Sequence, residues 1–257
     1  MAKPQLTIIF WNIWERVQSG RRDDGSKLQA RFDQLIKTYD PDVFGFNEVL
    51  VDRKSNASPV LDYFKKRGYK THFVPFSPIS EQWMIGSAII SKQKPTKILE
   101  HILGPDTQAD KERGYKGYHV SALEAHLKVG TEDVAVVVNY LAALAPLNWA
   151  THIKHRKSYE KMLDTIAHKS VVIGGDFNET KYMLPWLRMP RHLKRHTGSL
   201  RNPTWRWNGR RRSIAAANYD NIVWTKHSKL HLKTFKVLPR HPSDHSPLLG
   251  VFIINDR

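Results

Sequence analysis

Short, strongly apolar runs separated by polar segments dominate the chain. Leu6–Ile13, Asp42–Val49, Ser170–Gly174 and Leu248–Ile254 are nearly continuous in aliphatic, β-branched and aromatic residues, the pattern of buried strands. Ile98–Leu103 and Tyr118–Lys128 alternate as half-buried strands do, and Asp133–Leu141 reads as a central strand. Further strands are expected near Tyr69–Val74, Ser87–Ser91, Tyr219–Trp224 and Leu230–Val237. Helical spacing appears in Leu28–Tyr39, where Leu28, Phe32, Leu35 and Ile36 share one face and Asp40-Pro41 stops the pattern. Val60–Lys66 predicts a short helix, Trp149–His168 the longest one, and Arg16–Lys27 a polar loop. About 12 strands with few long helices predict two packed sheets with helices outside, in one mixed α/β domain spanning residues 1–257. There is no internal repeat and no low-complexity tract.

Composition narrows the class. With 257 residues, 40% of them hydrophobic and 11% aromatic, the chain can bury a substantial core. Cysteine is absent, which removes disulfides, thiolate metal sites and a cysteine nucleophile from consideration. No apolar run approaches the roughly 20 residues needed to span a bilayer. Met1-Ala2-Lys3-Pro4 leads straight into a strand without a secretory segment, so a cytoplasmic protein is expected, with nuclear entry or non-classical export left open. His152 and His155 share a helix face, but no other ligands accompany them and no zinc site is expected.

Five polar islands carry the chemistry. They are Trp11-Asn12, Asn47-Glu48, Gly174-Gly175-Asp176-Phe177-Asn178, Tyr219-Asp220-Asn221-Ile222 and Ser243-Asp244-His245-Ser246, and four of them adjoin a strongly apolar run. Strand ends let a rigid sheet hold several polar groups around one point. Carboxylates, amides and one imidazole gathered there describe a phosphoesterase site for a hard cation. Glu48, a carboxylate closing an apolar strand, needs a partner that a divalent cation supplies. Asn12 is expected to help hold the metal or to orient an acid. Asp176 and Asn178 project the same way if the chain stays extended, and the preceding Gly pair permits close approach.

In this order the islands resemble the endonuclease/exonuclease/phosphatase (DNase I-like) superfamily, and the resemblance runs from Leu6 to Phe252. It implies a four-layer αββα sandwich of two mixed sheets with the site at one edge. It implies that Asp176 aligns or deprotonates the attacking water and that Asn178 stabilises charge on the phosphoryl oxygens. It implies that His245 contacts the scissile phosphate, that Asp220 orients the ring of His245, and that Asp244 is a further carboxylate on the metal side. After the central strand, where many members place a second histidine, this chain has Tyr140, as apurinic/apyrimidinic endonucleases do. Ala142-Ala143 then follow instead of the asparagine of those enzymes, so abasic-site specificity is not expected. Tyr140 can alternatively be a packed strand residue.

Charge addresses the substrate. Net charge is +17, and the window Arg188–Arg240, with 14 Lys and Arg against the single acid Asp220, supplies +13 of it. Such asymmetry implies a polyanionic partner, with a solubilising surface or an anionic membrane as alternatives. Trp205, Arg206, Trp207, Arg210, Arg211 and Arg212 combine phosphate-gripping guanidinium groups with rings that can stack on bases, though either Trp can instead pack into the core. Arg113 and Tyr115 form a second basic-aromatic loop. The expectation is a phosphodiesterase dependent on Mg²⁺, or Mn²⁺, that cleaves nucleic acid, DNA in preference to RNA. The alternatives are a phosphatase or phosphodiesterase acting on a lipid or sugar phosphate, and a non-enzymatic nucleic-acid-binding member.

Overall fold

The computed structural model describes residues 3–13, 26–104, 120–141, 149–166, 170–178, 191–199, 201–208, 213–226, 228–240 and 242–255. Among these, the elements in chain order are β1 (Gln5–Asn12), α1 (Ser26–Tyr39), β2 (Val43–Asp52), α2 (Pro59–Lys65), β3 (Lys70–Pro78), β4 (Trp83–Ser91), β5 (Lys97–Gly104), β6 (Val120–Val129) and β7 (Glu132–Tyr140). Then come α3 (Trp149–Ile166), β8 (Ser170–Asp176), β9 (Leu193–Thr197), β10 (Trp205–Asn208), β11 (Ser213–Ala217), β12 (Asp220–Thr225), β13 (Leu230–Val237) and β14 (Leu248–Ile254). One six-stranded sheet has the order β13-β14-β1-β2-β4-β3, the other β5-β6-β7-β8-β12-β9, and β10-β11 form a separate hairpin. Both large sheets are mixed: β1 pairs parallel with β2, and β7 with β8, while the remaining pairs are antiparallel.

Three apolar clusters hold four layers together. Leu6, Ile8, Phe10, Val134, Val136, Val138, Val172 and Ile222 face one another between the sheets. Leu28, Phe32, Leu35 and Phe64 of α1 and α2 cover the outer face of the first sheet, against Ile9, Trp11, Phe44 and Phe46. Tyr159, Met162, Leu163 and Ile166 of α3 cover the second, against Ala135, Val137, Val171 and Ile173. The predicted αββα sandwich is therefore the observed fold. Helix α1 ends where Asp40 takes φ 43°, a left-handed turn that its short polar side chain tolerates, and Pro41 follows. In α2, Ser58 caps the first turn by accepting from the Leu61 N–H at 3.3 Å, with Pro at the first helical position. Among the described residues no helix is long and apolar enough to cross a membrane.

The strand pattern departs from expectation in the basic window. Strand β9 and the β10–β11 hairpin, neither of which the hydrophobic pattern predicts, both lie there. Strand β9 reads Leu193-Lys194-Arg195-His196-Thr197 and buries only Leu193, because a sheet edge can leave the rest of a strand to solvent. Strand β4 also starts earlier than predicted, at Trp83.

The period of two places the site. Along β1 the inward positions are Ile8, Phe10 and then Asn12; along β7 they are Val136, Val138 and Tyr140; along β8, Val172, Gly174 and Asp176; along β12, read backwards, Ile222 and Asp220. The polar residues are thus the next inward positions where the apolar core stops. Gly174 is required here by volume: a Cβ would overlap the Phe10 ring, which fills the gap between the sheets at this level. Gly174→Ala is expected to destabilise the fold by about 1–3 kcal/mol through overpacking, and Phe10→Leu in that background to recover part of the loss. Urea unfolding of Gly174→Ala, Phe10→Leu and the double variant checks this, and additive losses would contradict it.

Candidate active site

Two β-α-β units build the site from opposite sheets. In each, a parallel pair brings its residues to the same edge of the sandwich: β7 and β8 end on Tyr140 and Asp176 and β1 on Asn12, whereas Glu48, expected to close its strand, lies inside β2, which runs on to Asp52. Strand β12 lies antiparallel to β8 with Asp220 directly opposite Asp176. The segment before β14 supplies Asp244 and His245. Glu48 reaches the cluster through a break in strand register between Phe46 and Val49, where it adopts φ 60°. A left-handed Glu is a strained one, and the bulge turns a side chain inward that simple alternation would send outward.

Asn12, fully buried, holds two acids at once: its Nδ2 donates to Glu48 Oε1 at 2.9 Å and to Asp176 Oδ2 at 3.1 Å. The other Asp176 oxygen accepts from the Asn178 backbone N–H at 2.8 Å. Asn178 itself has φ 48°, and its Nδ2 donates to the Leu141 carbonyl at 2.6 Å. His245 Nδ1 lies 2.9 Å from Asp220 Oδ2, and its Nε2 faces Asp176 Oδ2 at 3.8 Å. The tautomer and orientation of the ring are thereby set by Asp220. Tyr140 makes a side-chain hydrogen bond with Glu48, and its ring stacks flat on Phe76, with centroids 4.3 Å apart. Asp244 Oδ2 accepts from Trp205 Nε1 at 3.1 Å.

Dry surroundings set the proton affinities. Burial, then the charges of Asp220 and Glu48, push the Asp176 carboxyl up to about 7, against the pull of His245. Burial raises Glu48 as well, with the Asn12 hydrogen bond opposing it. Burial alone would strip the proton from His245, but Asp220 and Asp176 outweigh it and lift the imidazole to about 10. Asp176, Asp220 and His245 bring ligand atoms within 4.8 Å of one another, and Asp220 Oδ1 is buried without a hydrogen-bond partner. Hard oxygen donors, raised carboxyl affinities and an orphaned carboxylate oxygen together fit a divalent cation of the Mg²⁺ type.

Residues 9–245 match the family model described as the Endonuclease/Exonuclease/phosphatase family. The chain belongs to that family. It is a hydrolase acting on phosphoester bonds. Solved structures share the fold at low identity. The endonuclease/exonuclease/phosphatase from Beutenbergia cavernae DSM 12333 is 18% identical with a TM-score of 0.71, covering 98% of this chain and 72% of that one. The human Nocturnin catalytic domain with bound sulfate is 18% identical with a TM-score of 0.68, covering 99% and 96%. ANGEL2, described as a 2′,3′-cyclic phosphatase, is 15% identical with a TM-score of 0.69, covering 97% and 95%. A search of curated proteins returns no significant match.

Of the residues singled out from sequence, Asn12, Glu48, Tyr140, Asp176, Asn178, Asp220, Asp244 and His245 come together at this edge of the family fold. Trp205 joins them from β10, half-buried, with its ring tilted against Tyr219 at 5.2 Å. Trp205 also forms a β-bridge with His245, and the Arg206 N–H donates to the Asp244 carbonyl at 3.1 Å. The backbone of Trp207 belongs to β10. Arg113, Tyr115, Arg210, Arg211 and Arg212 lie outside the described residues.

Several supporting residues were not foreseen. Asn47 Oδ1 accepts the Asp176 N–H at 2.9 Å while its Nδ2 donates to Ser87, so an amide in the first sheet clamps the backbone of the second. Trp11 Nε1 donates to the His245 carbonyl at 3.0 Å. Ser243 Oγ donates to the Asn12 carbonyl at 2.7 Å and accepts the His245 N–H at 3.0 Å. Thr204 Oγ1 accepts the Asp220 N–H at 3.0 Å. Asn47, Trp11 and Ser243 sit in the conspicuous islands, where adjacency was their signal; Thr204 and Phe76 had none.

The proton affinities yield a pH expectation. A carboxyl raised from 3.8 to about 7 favours the metal-free fold when protonated, so that contribution is complete below the ordinary carboxyl range and lost as pH climbs through about 7. A His raised from 6.5 to about 10 likewise contributes below its ordinary value and fades as pH rises through about 10. Both trends point the same way, so the metal-free protein should lose stability between about pH 5 and pH 8. Added Mg²⁺ or Mn²⁺ should raise the Tm by several degrees at about pH 8 and by little at about pH 5, where protons compete for the same oxygens. Thermal unfolding with and without EDTA measures this; an equal shift at both pH values would contradict it.

Proposed function

We propose that this family member is a divalent-cation-dependent nuclease that hydrolyses the phosphodiester backbone of nucleic acid, DNA in preference to RNA. The observation that carries the reading is the seam between the acid cluster and the basic-aromatic hairpin. Trp205 is hydrogen-bonded to Asp244 and bridged to His245, so the segment bearing the densest Arg and Trp content starts at the rim of the hydrolytic site. Arg206 and Arg240 adjoin there, Arg240 Nη1 donating to the Arg206 carbonyl at 3.1 Å. Guanidinium groups and an indole edge beside a phosphoester site suit a polyphosphate chain with stackable bases.

In this reading Glu48 and Asp244 would hold Mg²⁺ or Mn²⁺, with Asn12 keeping Glu48 and Asp176 in place. The bound ion supplies charge neutralisation for the phosphoryl oxygens. Asp176, held by Asn12 and facing His245, takes the proton of a water that attacks phosphorus in line with the leaving oxygen. His245, kept as imidazolium by Asp220, faces the phosphoryl oxygens as charge develops on them. Asn178 offers the second N–H of its anchored amide to the same oxygens. Tyr140, pinned by Phe76, orients Glu48 through its phenol hydrogen bond.

Supercoiled plasmid tests the reading. Nicking is expected with Mg²⁺, none with EDTA, and a loss of about 10³-fold or more with Asp176→Ala, the scale of removing a general base and its cluster. An intact plasmid, together with turnover of a soluble sugar phosphate or lipid headgroup ester, would replace the nuclease reading with the phosphatase one.

A further inference from the structure

The basic residues of the window from Arg188 to Arg240 divide into two groups in the fold. Arg206 and Arg240 stand at the rim of the site. Lys194, Lys233 and Lys236 are exposed on β9 and β13, the outermost strands of the two sheets. These two edges lie on one side of the sandwich: the ring of His196 on β9 stacks on Phe235 of β13, with centroids 5.3 Å apart, and on Trp224 at 5.4 Å.

Both edge strands run toward the site. Strand β13 is antiparallel to β14, so Val237 lies opposite Leu248, and the Leu238 N–H donates to the Pro247 carbonyl at 2.8 Å, two residues beyond His245. Strand β9 is antiparallel to β12, and Thr197 Oγ1 at its end donates to the Asp220 carbonyl at 2.8 Å. The lysines therefore make a row of mixed facing on two adjoining edge strands that lead to Arg240, Arg206 and Trp205: Lys194 shares the inner face with its neighbour Trp224, and Lys236 the outer face with Leu249. The row ends away from the site at Lys229, which pairs with Glu132 at 3.4 Å. No acid occurs between Arg191 and Tyr219, or between Asn221 and Ser243.

We propose that this side of the sandwich is a track for the nucleic-acid backbone running away from the cut, with Lys194, Lys233 and Lys236 as its phosphate contacts. The inference rests on the nuclease reading and adds a direction and a length to it. The eight residues of β13 extend about 26 Å, the axial rise of about seven or eight nucleotides of one duplex strand. A row of ammonium groups with no base-reading helix beside it among the described residues grips the backbone without choosing sequence. Lysines on edge strands also keep such strands from pairing with other chains. That protective role needs a charge of either sign, whereas a phosphate track needs a positive one, and the difference makes the inference testable.

The experiment compares wild type with the triple variant Lys194→Glu/Lys233→Glu/Lys236→Glu on DNA duplexes of 8 and 40 base pairs at about 100 mM salt, with bis(4-nitrophenyl) phosphate as a small substrate. For the 40-mer, KM is expected to rise at least tenfold with kcat unchanged, and the logarithmic salt slope of binding to fall by about 2–3, near 0.9 per lost phosphate contact. For the 8-mer and the small ester the change is expected to stay within twofold. Lys→Ala at the three positions should give an intermediate rise for the 40-mer. An unchanged KM for the 40-mer, or an equal rise for both lengths, overturns the track while leaving the nuclease reading in place. A wild-type protein that hydrolyses the small ester but neither binds nor cuts nucleic acid overturns the nuclease reading and the track with it.

Discussion

The structure depends on keeping several acids close together at the dry end of its central core. Asp176, Asp220 and Glu48 would repel one another and lose hydration there, so each needs a specific compensating group. Asn12 donates to two of them with one amide nitrogen, and His245 lies against Asp176 and Asp220 as their shared cation. The residual imbalance appears as raised proton affinity at Asp176, and a hard divalent cation would relieve it. Much of the surrounding structure serves to hold these few atoms: Trp11 fixes the His245 backbone, Ser243 ties it to Asn12, and Asn47 reaches across the sheets to the Asp176 N–H.

Two β-α-β units make that arrangement possible. Each covers the outer face of its own sheet with a helix and opens toward a common edge, so both sheets contribute inward-facing positions to one cluster. The inner faces stay apolar until the last position and then turn polar. Packing of Phe10 against Gly174 and Gly45 brings the sheets close enough for Asn12 to span them. Within the site, left-handed backbone falls where alternation alone fails, at Glu48 with φ 60° and Asn178 with φ 48°. The β10–β11 hairpin then joins the acid cluster to a basic surface through the Trp205 indole N–H, the Trp205–His245 bridge and the Arg206 N–H.

The layered fold was legible because it rests on local signals. Continuous apolar runs such as Val134–Val138 and the 28/32/35 face of α1 announce their elements without reference to the rest of the chain. The principal site residues were legible because polar groups closing apolar strands are costly and need a reason to be there. Thr204 and Phe76 were not, since a threonine in a loop and a phenylalanine in a strand are ordinary until their partners, Asp220 and Tyr140, are known. Strand β9 escaped notice for the opposite reason: an edge strand with one buried residue has almost no hydrophobic pattern to detect. The basic window looked uniform in sequence, yet part of it lines the site and part follows two sheet edges.

By itself the sequence determined which residues face inward along each strand, where the core gives way to carboxylates and amides, and that a strong positive charge accompanies them. These are consequences of side-chain chemistry and of periods of two and 3.6 residues, which every segment carries locally. Only the tertiary structure decided that Asn12 lies between Glu48 and Asp176, that His245 pairs with Asp220, and that Trp205 meets Asp244. Those contacts join positions up to 164 residues apart, and they depend on strand order, register and the bulge at Glu48. Distance and burial then set the proton affinities, because the interaction of two charges depends on their separation and on the water excluded between them.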